Sequence, residues 1–361
     1  MDVRAASEVP AGRGRVVREL LASLGAREDP HAFRLYCRTP AEVPGLDERF
    51  EWERVPLRDP FWHAATARRA SRECDVFLST NSYLTAWLLR VPSAIVVHDL
   101  IAFVPGARAQ RRARRIERAT LAPAVRRASA LICNSRSTER DLVARHAGAA
   151  GKTAVVHFAA HPRFGRARPA AELDAARRRL ELPPSFVLSV GTLEPRKNLT
   201  RLIEAYATLP APLRAGHPLL LVGPPGWEIR ELLERLAADP GDVRMLGFVP
   251  DDDLAVLYEL CTAFCYPSLY EGFGLPVLEA MQSGAPTVTS SVSSLPEVGG
   301  DAVRYVDPRS VPDIAAGLRE VLESADLRER LRRAGRERAA GYSWDRTAAE
   351  TLAVLERISR S

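Results

Sequence analysis

Two short stretches carry residue types suited to a charged, hydroxylated ligand. The first is Gly191-Thr192-Leu193-Glu194-Pro195-Arg196-Lys197-Asn198, between an aliphatic run and an amphipathic one. Arg196 and Lys197 stand beside an expected helix start near Leu199. Side-chain cations and backbone N–H groups would there point at one anion, and a diphosphate suits that arrangement. The bland alternative is a solvated turn with two surface cations. The second stretch is Glu271-Gly272-Phe273-Gly274-Leu275-Pro276-Val277-Leu278-Glu279. Its glycines let backbone approach a ligand closely, and Pro276 suits the first helical position. Glu271 lies ahead of that helix and Glu279 about one turn in, so the two can address different parts of one ligand. Carboxylates accept hydrogen bonds from sugar and ribose hydroxyls. The bland alternative is a glycine-rich loop with an exposed Glu279.

The elements that must position these residues read as alternating strands and helices. Buried strands are expected at 75–79, 93–97 and 130–133, then at 186–190, 218–222, 243–246, 263–266 and 286–289. Helical patterns lie between and after them, at 111–127, 137–146, 199–209, 228–238, 252–261 and 275–284. Alternation of this kind gives parallel sheets covered on both faces. The Arg/Ala/Pro-rich stretch from Pro162 to Pro184 separates two complete series. The expected organisation is therefore 1–165, 166–342 and a closing helix within 343–361, which is apolar on one face and packs back on the first domain. Two doubly wound sheets imply a crevice at the carboxyl ends of their strands, where ligands bind.

Composition excludes more than it selects. The five cysteines are scattered and form no Cys-x-x-Cys pair, which argues against a disulfide framework or a zinc site. No apolar run approaches the ~18 residues of a membrane span. The absence of a leader-like stretch points to the cytoplasm. Net charge is +6, but only Lys152 and Lys197 among 51 basic residues are lysines. Coding bias explains the arginine, and no reading helix or stacking aromatics support nucleic-acid binding.

In order and spacing, the two motifs resemble the retaining glycosyltransferases of family 4, whose fold is GT-B and whose signature is Glu-x7-Glu, met here by Glu271 and Glu279. The resemblance runs from about Asp2 to Trp344. It implies that Arg196 and Lys197 bind a donor diphosphate, that Glu271 contacts donor-sugar hydroxyls and that Glu279 contacts the ribose. Backbone N–H groups of Phe273, Gly274 and Leu275 would hold sugar and phosphate, and Phe248-Val249 would line the base pocket. His98, at a strand end, matches a family histidine facing donor sugar and acceptor. Gly12 and Gly14 match the glycine loop of the first domain, with Val16 where an aromatic residue is usual. Asp2-Val3-Arg4 matches the end of the family's first strand, so the strand itself would lie upstream of Met1, and either the true start is upstream or another segment fills the gap in the first sheet.

The implied activity is transfer of a hexosyl group, best read as mannose from GDP-mannose, to a glycan or lipid-linked acceptor in polysaccharide biosynthesis. UDP-glucose and UDP-N-acetylglucosamine are the alternative donors. An inactive nucleotide-sugar-binding protein is the alternative from another class. The nucleotide sugar is a co-substrate, and no metal or other cofactor is expected. Asp251-Asp252-Asp253 reads as a helix cap rather than a metal site. Glu297 reads as structural. The basic run Arg111–Arg115 reads first as a solvated face and second as a peripheral contact with the inner face of an anionic membrane. A dinucleotide oxidoreductase ranks far lower, because no Gly-x-Gly-x-x-Gly directly follows a strand with an acidic partner ~20 residues on.

Overall fold

The computed structural model describes residues 1–9, 12–104, 111–238 and 242–360. The chain divides into two compact units. One comprises Met1–Val104, Arg111–Ala159 and Ser343–Ser361, and the other contains Ala160–Tyr342.

In the first unit, short segments of three to five residues form β1 (Phe33–Cys37), β2 (Phe50–Arg54), β3 (Phe77–Ser79), β4 (Ser93–Val97), β5 (Ala130–Cys133) and β6 (Thr153–Val155). All pairings are parallel. In the expected gap of this sheet the chain's first residues form no strand of their own, and Asp2 alone bridges into it. Asp2 bridges Tyr36 of β1 and Ser79 of β3, both in parallel. The Tyr36 N–H donates to Met1 O (2.9 Å), Val3 N–H to Tyr36 O (3.0 Å) and Asp2 N–H to Leu78 O (2.9 Å). One bridging residue thus joins the two halves into the order β2-β1-Asp2-β3-β4-β5-β6. The Asp2 carboxylate is fully buried, and Arg4 meets it through two nitrogens at 3.2 Å. The Arg4 guanidinium lies 3.6 Å over the buried Trp62 ring, so the charge is desolvated against a π-face as well as paired.

Strands β4 and β5 are buried along their whole length, as expected for a parallel sheet covered on both sides. The closing helix, Trp344–Ser359, is capped by Ser343, which accepts from Arg346 N–H (3.2 Å). It belongs to the first unit. Trp344 stacks on Phe158 (6.0 Å), and the Thr347 hydroxyl donates to His157 O (2.6 Å).

The second unit holds β7 (Val187–Val190), β8 (Leu219–Val222), β9 (Val243–Gly247), β10 (Ala263–Tyr266), β11 (Thr287–Ser290) and β12 (Arg304–Val306). Their order is β12-β11-β10-β7-β8-β9, all parallel. Strand order reverses between β7 and β10, and doubly wound sheets bind ligands at that reversal, beyond the carboxyl ends. Leu202, Tyr206, Leu219, Leu221, Ile314 and Leu318 form part of the core on one face.

One turn at that edge tolerates only glycine. Gly223, just past β8, has φ 145°, and a Cβ there would lie 2.0 Å from Gly191 O. Gly223→Ala is therefore expected to destabilise the protein by on the order of 3 kcal/mol. Calorimetric melting should show a drop of several degrees; an unchanged melting point would contradict this packing of the β7 and β8 ends.

Candidate active site

The reversal between β7 and β10 gathers both motifs. After β7 the chain makes a short 3-10 turn, Pro195–Lys197, and enters the helix Leu199–Ala207 through Asn198, which is left-handed (φ 60°). The Asn198 amide donates to Pro267 O (3.0 Å) and Pro308 O (2.6 Å), fixing the turn to the loop after β10. Backbone sews the same two loops together. Leu269 N–H donates to Arg196 O (2.8 Å), as does the Ser268 hydroxyl (3.2 Å).

The side chains so placed form one cluster around Glu271. Its Oε1 accepts from Lys197 Nζ (2.8 Å), the Tyr266 hydroxyl (2.8 Å) and the Ser268 hydroxyl (2.6 Å). Its Oε2 pairs with Arg196 Nη1 at 2.5 Å. Arg196 also pairs through Nε with Glu194, and Lys197 touches the Tyr266 hydroxyl. Two cations and two carboxylates are thus held together almost out of water. The Lys197, Glu194 and Glu271 side chains are less than a tenth exposed, whereas Arg196 keeps 24% of its side chain accessible.

The charges tune one another. Burial pushes the Glu271 carboxyl up, but Arg196 and Lys197 overcome it and hold the group down at about 2. Burial, with Arg196 adding to it, lowers Lys197 from its ordinary range despite Glu271. Burial raises Glu194 against the pull of Arg196. Glu271 is therefore a committed carboxylate, and Arg196 is the cation of the group with most access to a second anion.

The loop that follows is pinned from behind. Ser293 Oγ accepts from Glu271 N–H (3.0 Å), while the Ser294 hydroxyl donates to Glu271 O (3.0 Å) and Phe273 O (2.8 Å). Gly274 has φ 108°, and a Cβ there would press on Leu295 at 2.8 Å, so the turn requires glycine. It opens the helix Leu275–Ser283, which no side chain caps. Such an end favours an anion. Pro276 is the second helical residue rather than the first. Glu279 is 3% exposed and accepts from the Tyr258 hydroxyl (3.3 Å), which rules out the reading of a solvent-exposed carboxylate.

Other sequence-level candidates lie further out. Phe248 is 62% exposed and Val249 half-buried, just beyond β9. The helix after them starts at Asp251 with Pro250 in the capping position, so the aspartates do not cap it by side chain. Asp252 and Asp253 instead pair with Arg163 and Arg179 (2.9 and 2.5 Å). Glu297 offers its carbonyl to Arg338 and Tyr342.

In the first unit, His98 follows β4 and is buried. Its Nε2 lies 2.7 Å from Thr80 O, an acceptor, so Nε2 carries the proton and Nδ1 is left to accept. Burial, with Arg13 nearby, holds the imidazole down at about 4, keeping it neutral. Gly12 (φ 55°) precedes the helix Arg13–Gly25. Gly14 serves packing: a Cβ there would fall 1.8 Å from Val9 O.

Glu194, Tyr266, Ser268, Ser293 and Ser294 are given no role by the sequence reading. Tyr266 and Ser268 stand within five residues of Glu271 at the end of an evident strand, which was an available signal. Ser293 and Ser294 lie too far along the chain to be linked without the fold.

Solved structures share this course over nearly the whole chain. HepE of Anabaena, in complex with UDP-glucose, superposes with a TM-score of 0.78 at 19% identity and covers 98% of both chains. WaaG, a glycosyltransferase involved in lipopolysaccharide biosynthesis, gives 0.74 at 18% identity over 96% of both. The architecture is the GT-B fold of glycosyltransferases. Residues 10–161 match the model Glycosyltransferase Family 4, and residues 172–338 match Glycosyl transferases group 1. The chain belongs to the family-4 glycosyltransferases. It is 45% identical over 170 residues to O-antigen chain mannosyltransferase B of Escherichia coli (46% of this chain, 44% of that one). It is 35% identical over 240 residues to the serotype-specific mannosyltransferase WbdA of Escherichia coli (65% and 29%). These alignments span less than half of either relative's length.

Lys197→Met leaves Glu271 with one cation and is expected to cost roughly 3–5 kcal/mol in urea unfolding, with Glu271→Gln in the same chain recovering most of it. Because the folded-state value of Glu271 lies below its ordinary 4.5, its contribution is complete above pH 4.5 and is lost as pH falls toward 2. Glu271→Gln alone should flatten stability over that window, and an unaltered pH profile would contradict the pairing.

Proposed function

We propose that the protein transfers a mannosyl group from GDP-mannose to a glycan or lipid-linked acceptor, with retention of anomeric configuration. The carrying observation is the Arg196–Lys197–Glu271 cluster at the carboxyl ends of β7 and β10. The mannosyltransferase names of the relatives support the choice of sugar.

On this reading the donor diphosphate lies against Arg196, Lys197 and the start of the Leu275–Ser283 helix. As the glycosidic bond to the diphosphate lengthens, the anomeric carbon gains positive charge and the leaving oxygens gain negative charge. Preorganised cations and N–H dipoles stabilise the latter without reorganising. These groups supply what a metal ion supplies elsewhere, so the proposal includes none. Glu271, fully ionised and rigidly held, accepts from donor-sugar hydroxyls, Glu279 from the ribose, and Val249 lines the base. His98 Nδ1, unprotonated, accepts from a sugar hydroxyl.

No helix among the described residues is long and apolar enough to cross a membrane. We place the reaction in the cytoplasm at the inner membrane face, with peripheral contact through the helix Arg111–Arg127. The side chains of Arg111–Ala113 lie outside the described residues. Further along, exposed Ile116 sits among Arg114, Arg115 and Arg118, a pairing of apolar and basic groups suited to an anionic surface.

Incubation with GDP-mannose and a mannose-terminated oligosaccharide, read by proton NMR, is expected to show GDP release and an α-linked product. A β-linked product would contradict retention. Turnover with UDP-glucose or UDP-N-acetylglucosamine alone would overturn the donor assignment.

A further inference from the structure

The closing helix reaches His98 from behind. Trp344, its first residue, stacks on Phe158 with ring centres 6.0 Å apart and planes inclined by 20°. Phe158 in turn lies 5.8 Å from the His98 imidazole, tilted by 48°. The three rings form a row within the first unit, and each is at least nine-tenths buried. Hydrogen bonds hold the histidine elsewhere. Nε2 donates to Thr80 O (2.7 Å), and the Thr80 hydroxyl donates to Asp2 O (2.5 Å). The Asn134 amide donates to His98 O (2.7 Å). The second side-chain torsion of histidine is broad, so one hydrogen bond alone leaves the ring free to rock. The flat contact with Phe158 removes that freedom.

Little room for water remains around the row. His98, Phe158 and Trp344 share a cavity of about 10 Å³ with Val16, Val96 and Ile132, at the lower bound for one water molecule. Burial is the main reason the imidazole is held at about 4 rather than 6.5. Arg13 adds to it, while the Thr80 carbonyl and Asp99 oppose it. On the closing helix, Asp345 pairs with Arg27 and Arg346 with Glu350. What Trp344 adds is therefore an apolar wall. Its indole N–H has no hydrogen-bond partner among the described residues, so the ring face carries the contribution.

We propose that Trp344 is a positioning residue for His98: acting through Phe158, it holds the imidazole in the one orientation that leaves Nδ1 to accept from a substrate hydroxyl. This deepens the glycosyl-transfer reading and rests on it for the use made of His98. The plain alternative is that Trp344 only anchors its helix. That helix has other anchors: the Thr347 hydroxyl on His157 O (2.6 Å), Asp345 on Arg27 (2.5 Å) and Glu356 on His31 (3.0 Å). Replacing the indole is therefore expected to leave the helix docked.

The test uses the full chain with labelled histidine and reads the His98 ring nitrogens by NMR, assigned by difference from His98→Gln. The wild type should show the Nε2-protonated tautomer, neutral well below the ordinary 6.5. Trp344→Leu should mix the tautomers and move the titration up toward 6.5, because water then reaches the ring. It should also lower kcat with GDP-mannose roughly tenfold near pH ~6 and leave KM for the donor unchanged. Phe158→Leu, which breaks the row at its middle, should do the same. Trp344→Phe keeps a ring and should behave as the wild type. Leu352→Ala, buried on the same helix but not lining the cavity, should lower the melting temperature without altering His98. An unchanged tautomer and titration in Trp344→Leu or Phe158→Leu overturns the proposal. So does an equal change in Leu352→Ala, or a Trp344→Phe that fails as Trp344→Leu does. A wild type with the expected tautomer but no turnover of GDP-mannose would strike the glycosyl-transfer reading instead, which keeps the two failures apart.

Discussion

Burying two carboxylates and two cations side by side is the constraint on which the second unit depends. Each ion taken from water costs several kcal/mol even after relaxation, and the cluster is tolerable only because every member has a partner of opposite sign or a hydrogen bond. Glu271 gathers Lys197, Arg196, Tyr266 and Ser268 on its two oxygens, and Glu194 adds a second carboxylate against Arg196, so two anions balance two cations. The backbone is arranged to hold these groups in register. A left-handed Asn198 ties the β7 loop to the β10 loop, glycine is required at 223 and 274, and two serines brace the Glu271 turn. The balance is also what makes the site responsive. An anion that engages Arg196 competes with a carboxylate already in place, so binding exchanges one partner for another rather than filling bare positive charge.

Both units solve the same topological problem. Each has a parallel sheet whose order reverses once, and each collects polar side chains beyond that reversal. In the second unit the collected groups are charge-balanced and close-packed. In the first, His98 is held neutral, and Glu117 Oε1 is buried with no hydrogen-bond partner among the described residues.

Much of this was legible in the sequence. The continuous apolar runs of β4, β5 and β10 fall at the expected residues, because strands buried on both faces need only continuous apolarity. The first motif and Glu-x7-Glu marked the cations and carboxylates. What stayed hidden was partnership. Nothing local says that Lys197 and Glu271, 74 residues apart, share a hydrogen bond, or that Glu279 is buried beneath Tyr258. At the start of the first sheet one residue, Asp2, makes bridges on both sides without a strand-length run to announce it. The triple aspartate looked like a cap, but arginines brought in from the preceding stretch pair with two of its members.

The central claim is that Arg196 and Lys197 read a diphosphate. The most direct measurement is the calorimetric affinity of GDP against GMP, in the wild type and in Arg196→Met/Lys197→Met. The account requires GDP to bind at least tenfold tighter than GMP, with that preference lost in the double variant. Equal affinities in the wild type, or a preference that survives removal of both cations, would contradict it.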